Sequence, residues 1–154
     1  MYVLKPSSCL WLNMAARPGK TKGGKALRFA CRNEERLRVR KVELEHFVNQ
    51  YGVYICFLIE TFLNPGQAVQ LVNYVCHRTD RLTAGCGTAL LVRRGIVHKS
   101  VSVPDRTHLE ATVIQVILSV NRRKSLRLNF VYPPTDWSEP VRMFLWWVGG
   151  PVGW

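Results

Sequence analysis

The run Val53-Tyr54-Ile55-Cys56-Phe57-Leu58-Ile59 is apolar throughout and stops abruptly at Glu60-Thr61. A strand with one wet face alternates apolar and polar residues, so an unbroken run of this length reads as a strand covered on both faces, with an acid at its carboxyl end. Upstream, Leu27-Arg28-Phe29-Ala30-Cys31 alternates as a short strand, and Leu37, Leu44, Phe47, Val48 and Tyr51 then recur on one helical face. Arg38, Arg40, Lys41, Glu43 and Glu45 take the other faces as a solvated surface. Gly52 follows the helix where a left-handed cap residue commonly ends one. Downstream, the turn Asn64-Pro65-Gly66 precedes candidate strands at Val72–Arg78, Thr88–Arg93, Ile96–Val103, Leu109–Ser119 and Ser125–Tyr132. The order is β-α-β followed by mostly antiparallel strands, an α/β fold class with a mixed sheet and a helix after the first strand.

The chain has 154 residues, 47% of them hydrophobic and 21% charged, which suits one domain able to bury a core without cross-links. Its mean hydropathy of −0.03 and aromatic content of 10% exclude a typical disordered chain. No apolar run approaches the ~18 residues a membrane-spanning helix requires. Five cysteines (Cys9, Cys31, Cys56, Cys76, Cys86) show no CxxC spacing, which argues against a zinc site and for reduced thiols in the nucleus or cytoplasm. No secretory segment is evident: Lys5-Pro6 interrupts the start, and Leu10-Trp11-Leu12 is too short for a signal core.

The net charge of +12 is unevenly spread: residues 1–41 hold 11 basic and 2 acidic side chains. Such a basic leader binds phosphate polymers by releasing counterions, without reading sequence; the alternative, a solvated tail with no partner, stays open. Residues 1–26 read as an arm that adds nothing to the core, since Pro6, Pro18 and Gly19-Lys20-Thr21-Lys22-Gly23-Gly24-Lys25 carry turn formers without apolar period. That glycine-lysine run lacks P-loop spacing and follows no strand. Residues 27–132 form the domain. Residues 133–154 read as an irregular apolar tail: Pro133-Pro134 breaks the last strand, and 144–154 are uncharged and aromatic. A shift out of the original reading frame near Pro133 accounts for this composition, and a packed terminal segment is the alternative.

Glu60 is the best-placed acid, because open α/β folds put functional groups at the carboxyl ends of strands. Its rival role is to cap the turn that follows. Asn33 and Glu35 follow the first strand and approach Glu60 if the two strands are neighbours. A hard cation then becomes possible, since Mg²⁺ takes only one or two carboxylates beside water and substrate phosphate. The histidines (His46, His77, His98, His108) are scattered, with no nucleophile at recognisable spacing, and read as surface or structural groups.

Several stretches are far more specific than any short motif: Asn33 with Leu37-Arg38-Val39-Arg40-Lys41-Val42-Glu43-Leu44-Glu45, Ile55 to Thr61, Asn73 to Ile96, and His108-Leu109-Glu110-Ala111-Thr112-Val113-Ile114-Gln115-Val116. Together they resemble the N-terminal part of the endonuclease/exonuclease/phosphatase domain, in the apurinic-like form found in jockey-type non-LTR retrotransposons. The resemblance implies a four-layer α/β sandwich, of which this chain supplies about the first half. It also implies a Mg²⁺-dependent DNA-nicking hydrolase that serves a reverse transcriptase further along the polyprotein. By that resemblance Asn33 orients phosphate or the attacking water, Glu60 and Glu35 are the metal-binding acids, and Tyr132 stands near the scissile phosphate.

The departures limit the activity expected. Glu35 stands where the family has an amide or Asp, Arg36 where it has a turn glycine, Phe62 where it has His or Lys, and Cys86 where it has a hairpin glycine. The family's Gly-Asp-x-Asn motif and Ser-Asp-His ending do not occur in these residues. Lack of a positioned general base costs ~10²–10⁴ in rate, so the expectation is a truncated or decayed domain with little activity of its own. On this reading the absent half also supplies the second sheet, leaving an apolar face of the first exposed. The rival reading is a non-catalytic basic module that binds nucleic acid through residues 17–41.

Overall fold

The computed structural model describes residues 2–4, 10–14, 27–34, 36–64, 66–79, 87–102, 110–119, 124–132 and 141–148. The elements are β1 (Tyr2–Leu4), β2 (Leu10–Met14), β3 (Leu27–Asn33), α1 (Leu37–Gln50), β4 (Ile55–Ile59), β5 (Tyr74–Thr79), β6 (Thr88–Arg93), β7 (His98–Ser100), β8 (Glu110–Ser119), β9 (Lys124–Tyr132) and β10 (Val141–Val148). They build two five-stranded sheets, ordered β2-β3-β4-β6-β5 and β1-β10-β9-β8-β7. The class is α/β, as expected, with β3 and β4 parallel and the other described pairs antiparallel. Parallel neighbours need a crossover of a dozen or more residues, and α1 supplies it.

The unbroken apolar run is explained by what lies on each side of β4. Ile55, Phe57 and Ile59 face the second sheet, where they pack with Phe29, Leu90, Ile114, Leu128 and Phe130. Cys56 and Leu58 point the other way, into a cluster with Leu37, Leu44 and Val48 of α1. β6 repeats this arrangement, with Leu90 and Val92 inward and Ala89 and Leu91 toward the helix. The layers are therefore helix, sheet, sheet. Phe57 lies between Phe29 and Phe130, with ring centroids 6.4 and 5.2 Å away.

α1 ends in a left-handed Gly52 (φ 58), whose N–H bonds Asn49 O while that of Val53 bonds Val48 O at 2.9 Å, the paired closure of a Schellman motif. The Tyr74 hydroxyl donates to Val53 O at 2.6 Å and so ties β5 to the entry of β4. Tyr51 departs from its expected buried place: it is exposed, its ring resting against Phe47 at 5.3 Å.

Three larger expectations change. Residues 1–26 hold two strands where an arm without structure is expected: β1 pairs with β10, and β2 runs along β3 from Leu10↔Cys31 to Met14↔Leu27. The open edge of β3 offers a row of unpaired N–H and C=O groups, a partner invisible when the arm is read by itself. The 133–154 segment likewise contains β10, paired with β9 from Arg142↔Val131 to Val148↔Ser125; its valines and aromatics suit a pleated surface. Finally, the inner face of the first sheet is covered by the chain's own β8 and β9, so the exposed apolar face does not arise there. Ile96–Val103 shortens to the three-residue β7.

Candidate functional site

Asn33 ends β3 and stands in register with Ile59, the last residue of β4. The carboxyl ends of these two parallel strands therefore lie side by side, and Asn33 and Glu60 with them. Beyond the sheet the two segments continue together: Glu34 N–H donates to Ile59 O (3.0 Å), Arg36 N–H to Glu60 O (3.2 Å) and Leu37 N–H to Thr61 O (3.1 Å). Glu60 (φ 55) and Phe62 (φ 50) both adopt left-handed backbone, which turns the chain sharply and leaves Glu60 half-buried at the rim. Along β3, Phe29 and Cys31 face the second sheet while Ala30 faces the helix. Asn33 keeps the parity of Phe29 and Cys31 and sits at the open end of the gap between the sheets.

Gly87 reinforces this end. It is left-handed (φ +64), and a Cβ there would lie 2.7 Å from Thr61 Oγ1, so the 60–62 turn closes against bare backbone. Three threonines then join the sheets. Thr79 Oγ1 donates to Ala111 O at 3.0 Å, which uses its one proton. It must therefore accept from Thr112, and Thr112 in turn accepts from Thr88. Two residues further along, Glu110 is the register partner of Tyr132. The end of β9 that carries Tyr132 thus lies at the same end of the sandwich as Asn33 and Glu60. Glu35 falls outside the described residues.

A cleft of about 450 Å³ opens between the start of α1 and the loop after β4, lined by Arg36, Arg38, Val39, Phe62 and Gln67. Arg36 and Arg38 are exposed, so the rim of the cleft carries positive charge. Arg36, the residue before α1, has φ 84, a left-handed conformation that a glycine adopts at no steric cost. Backbone strain in the turn between β3 and α1 is therefore localised at that residue.

Sequence reasoning missed two features. Glu34 is fully buried on the helix side, where burial pushes its carboxyl up from 4.5 to about 7, with Arg32 opposing the rise, Glu43 adding to it and Arg40 opposing it. Arg32 Nε lies 2.9 Å from Glu34 Oε1, yet neither carboxylate oxygen accepts a hydrogen bond: the charges are close and the N–H is misaligned. Arg32 also pairs with Glu43 and lies 5.1 Å over the Phe47 ring. The alternation that places Arg32 and Glu34 on the helix side was readable; nothing in the sequence marked the carboxylate as enclosed. The second feature is a contact between His77 and His98, distant in sequence and brought together by sheet packing.

Among the described residues no group of three or more His, Cys, Asp or Glu side chains converges as a metal site, and no helix is long and apolar enough to cross a membrane. Cys31 and Cys56 are buried and Cys76 is half-buried. Comparison with known protein families finds no match, and neither does comparison with curated proteins.

Proposed function

We propose that residues 27–132 are the N-terminal part of a Mg²⁺-dependent DNA endonuclease domain of the endonuclease/exonuclease/phosphatase type, from a retrotransposon reverse-transcriptase polyprotein, with little hydrolytic activity of its own. The observation that carries this reading is the placement of Asn33 and Glu60 at adjoining carboxyl ends of parallel strands. The helix-sheet-sheet order supports it as three layers of a four-layer sandwich.

The donor chemistry at Glu60 fits a hard cation: a half-exposed carboxylate offers oxygen, and Mg²⁺ needs only one or two such protein ligands when phosphate completes its shell. Glu60 and Glu35 would hold it, and bound there it would neutralise charge on a phosphodiester. Asn33 would donate its amide to a phosphate oxygen or a water, and Arg36 and Arg38 would hold the flanking backbone by charge. No Gly-Asp-x-Asn base motif occurs in these residues, so binding outlasts cleavage in this reading.

The test is a supercoiled-plasmid assay run beside DNA-binding measurements with and without Mg²⁺. The expected result is Mg²⁺-strengthened binding that Glu60→Gln abolishes, with nicking near background. Binding indifferent to Mg²⁺ and to Glu60→Gln would remove the proposal, and robust nicking lost in Glu60→Gln would overturn the inactivity it assigns. The exposed Arg36, Arg38 and Arg40 also favour a second reading, a basic nucleic-acid-binding module using residues 17–41. That reading requires salt-sensitive binding independent of Glu60, and binding that survives 1 M salt or deletion of the arm rejects it.

A further inference from the structure

β5 and β7 are the edge strands of the two sheets on one flank of the sandwich, and each contributes one histidine to the gap between them. His77 Nε2 and His98 Nε2 approach to 2.8 Å, with the rings perpendicular and their centroids 4.9 Å apart. His98 Nδ1 lies 2.7 Å from Ile96 O. A carbonyl only accepts, so Nδ1 carries the proton and Nε2 presents its lone pair. Fixing one imidazole nitrogen by a backbone carbonyl is how proteins orient a histidine to bind a metal through the other. In the metal-free protein His77 donates its Nε2–H to that lone pair.

We propose that His77 and His98 form a binding site for a divalent transition-metal ion of the class imidazole prefers, with Nε2 of each ring as ligand. With metal–nitrogen bonds of ~2.0–2.1 Å, a 2.8 Å nitrogen separation subtends about 85–90° at the ion, the angle between neighbouring ligands in square-planar or octahedral geometry. Ni²⁺ and Cu²⁺ favour that geometry; tetrahedral Zn²⁺ requires the nitrogens to open to roughly 3.3 Å. On binding, His77 moves its proton from Nε2 to Nδ1, so both ligating nitrogens are unprotonated and the neutral pair gains and loses no proton. An adjoining cleft of about 440 Å³, lined in part by His77, Thr79, Ser100 and Thr112, leaves room for water ligands. The site lies on the strand edges away from Glu60 and does not depend on the nuclease reading.

Ni²⁺ is the probe of choice because, unlike Cu²⁺, it does not oxidise cysteine. Titrated into the full chain, it should raise the thermal midpoint by several degrees. His77→Gln and His98→Gln should each weaken the apparent affinity at least tenfold, while His46→Gln, on the exposed face of α1, leaves it unchanged. A second readout needs no variant: Ni²⁺ made octahedral by water ligands is paramagnetic, and in NMR spectra it should broaden the ring signals of His77 and His98 before those of His46 and His108. Equal Ni²⁺ affinity in wild type and His98→Gln, or earlier broadening of His46 or His108, overturns the proposal.

Discussion

Glu34→Gln should stabilise the protein, and only above mildly acidic pH. The carboxyl is fully buried and its two oxygens accept no hydrogen bond, so its pKa rises from 4.5 in the unfolded chain to about 7 in the fold. Below 4.5 both states hold the proton and the group costs nothing by linkage. Between 4.5 and about 7 the unfolded chain releases its proton more readily, and stability falls as pH rises until the full penalty is reached above the folded pKa. At ~1.4 kcal/mol per pH unit the lift corresponds to about 3 kcal/mol, or roughly 6–12 °C in Tm for a domain of this size. Urea unfolding of wild type and Glu34→Gln at pH 4.5 and pH 8 isolates the group, since every other titration cancels between the two proteins. The expected gain is about 3 kcal/mol for the variant at pH 8 and close to none at pH 4.5. A variant that is less stable than wild type at pH 8 would refute the reasoning, because Arg32 would then hold the ionised carboxylate at a net gain.

Other expectations follow the same style of measurement. His77 titrates in the opposite sense: its folded pKa is lowered, so its contribution is full above the unfolded value of about 6.5 and declines as pH falls through the folded one. His77→Gln should flatten that part of the urea stability profile between pH 7.5 and 5, and an unchanged slope contradicts it. Gly87→Ala places a Cβ against Thr61 Oγ1 in a left-handed conformation and should cost about 1–3 kcal/mol; coupling to Thr61→Ala in a double-mutant cycle identifies the clash as the cause. Arg36→Gly relieves the φ 84 backbone and should gain about 0.5–1 kcal/mol; under the proposed function it should also weaken DNA binding. A loss of stability in that variant means the arginine is held there by contacts that outweigh the strain.

What was legible in the sequence followed from periodicity. The Val53–Ile59 run required cover on both faces, and α1 and the second sheet provide it. Leu37, Leu44 and Val48 announced the helix face, and Gly52 its end. The adjacency of Asn33 and Glu60 was available as soon as the first two strands of the domain were taken as parallel neighbours. The pairings of β1 with β10 and β2 with β3 were not legible, because a short strand is stabilised by the edge it meets and carries little signal of its own. Nothing in the local sequence singled out Glu34; its burial is a product of tertiary packing, as is the contact of Arg32 with Phe47 of α1. The His77–His98 pair was hidden for the same reason, each residue lying on a different sheet.

The order in which the two sheets are made has a consequence for synthesis. Every strand of the first sheet lies between residues 10 and 93, whereas β8 and β9, which cover its inner face, follow only at 110–132. At ~5–20 residues per second the ribosome needs about 2–8 s to add residues 94–132. Through that interval Phe29, Phe57, Leu90 and Val92 await their partners, so a nascent chain paused there presents a sticky surface to chaperones and to neighbouring polysomes.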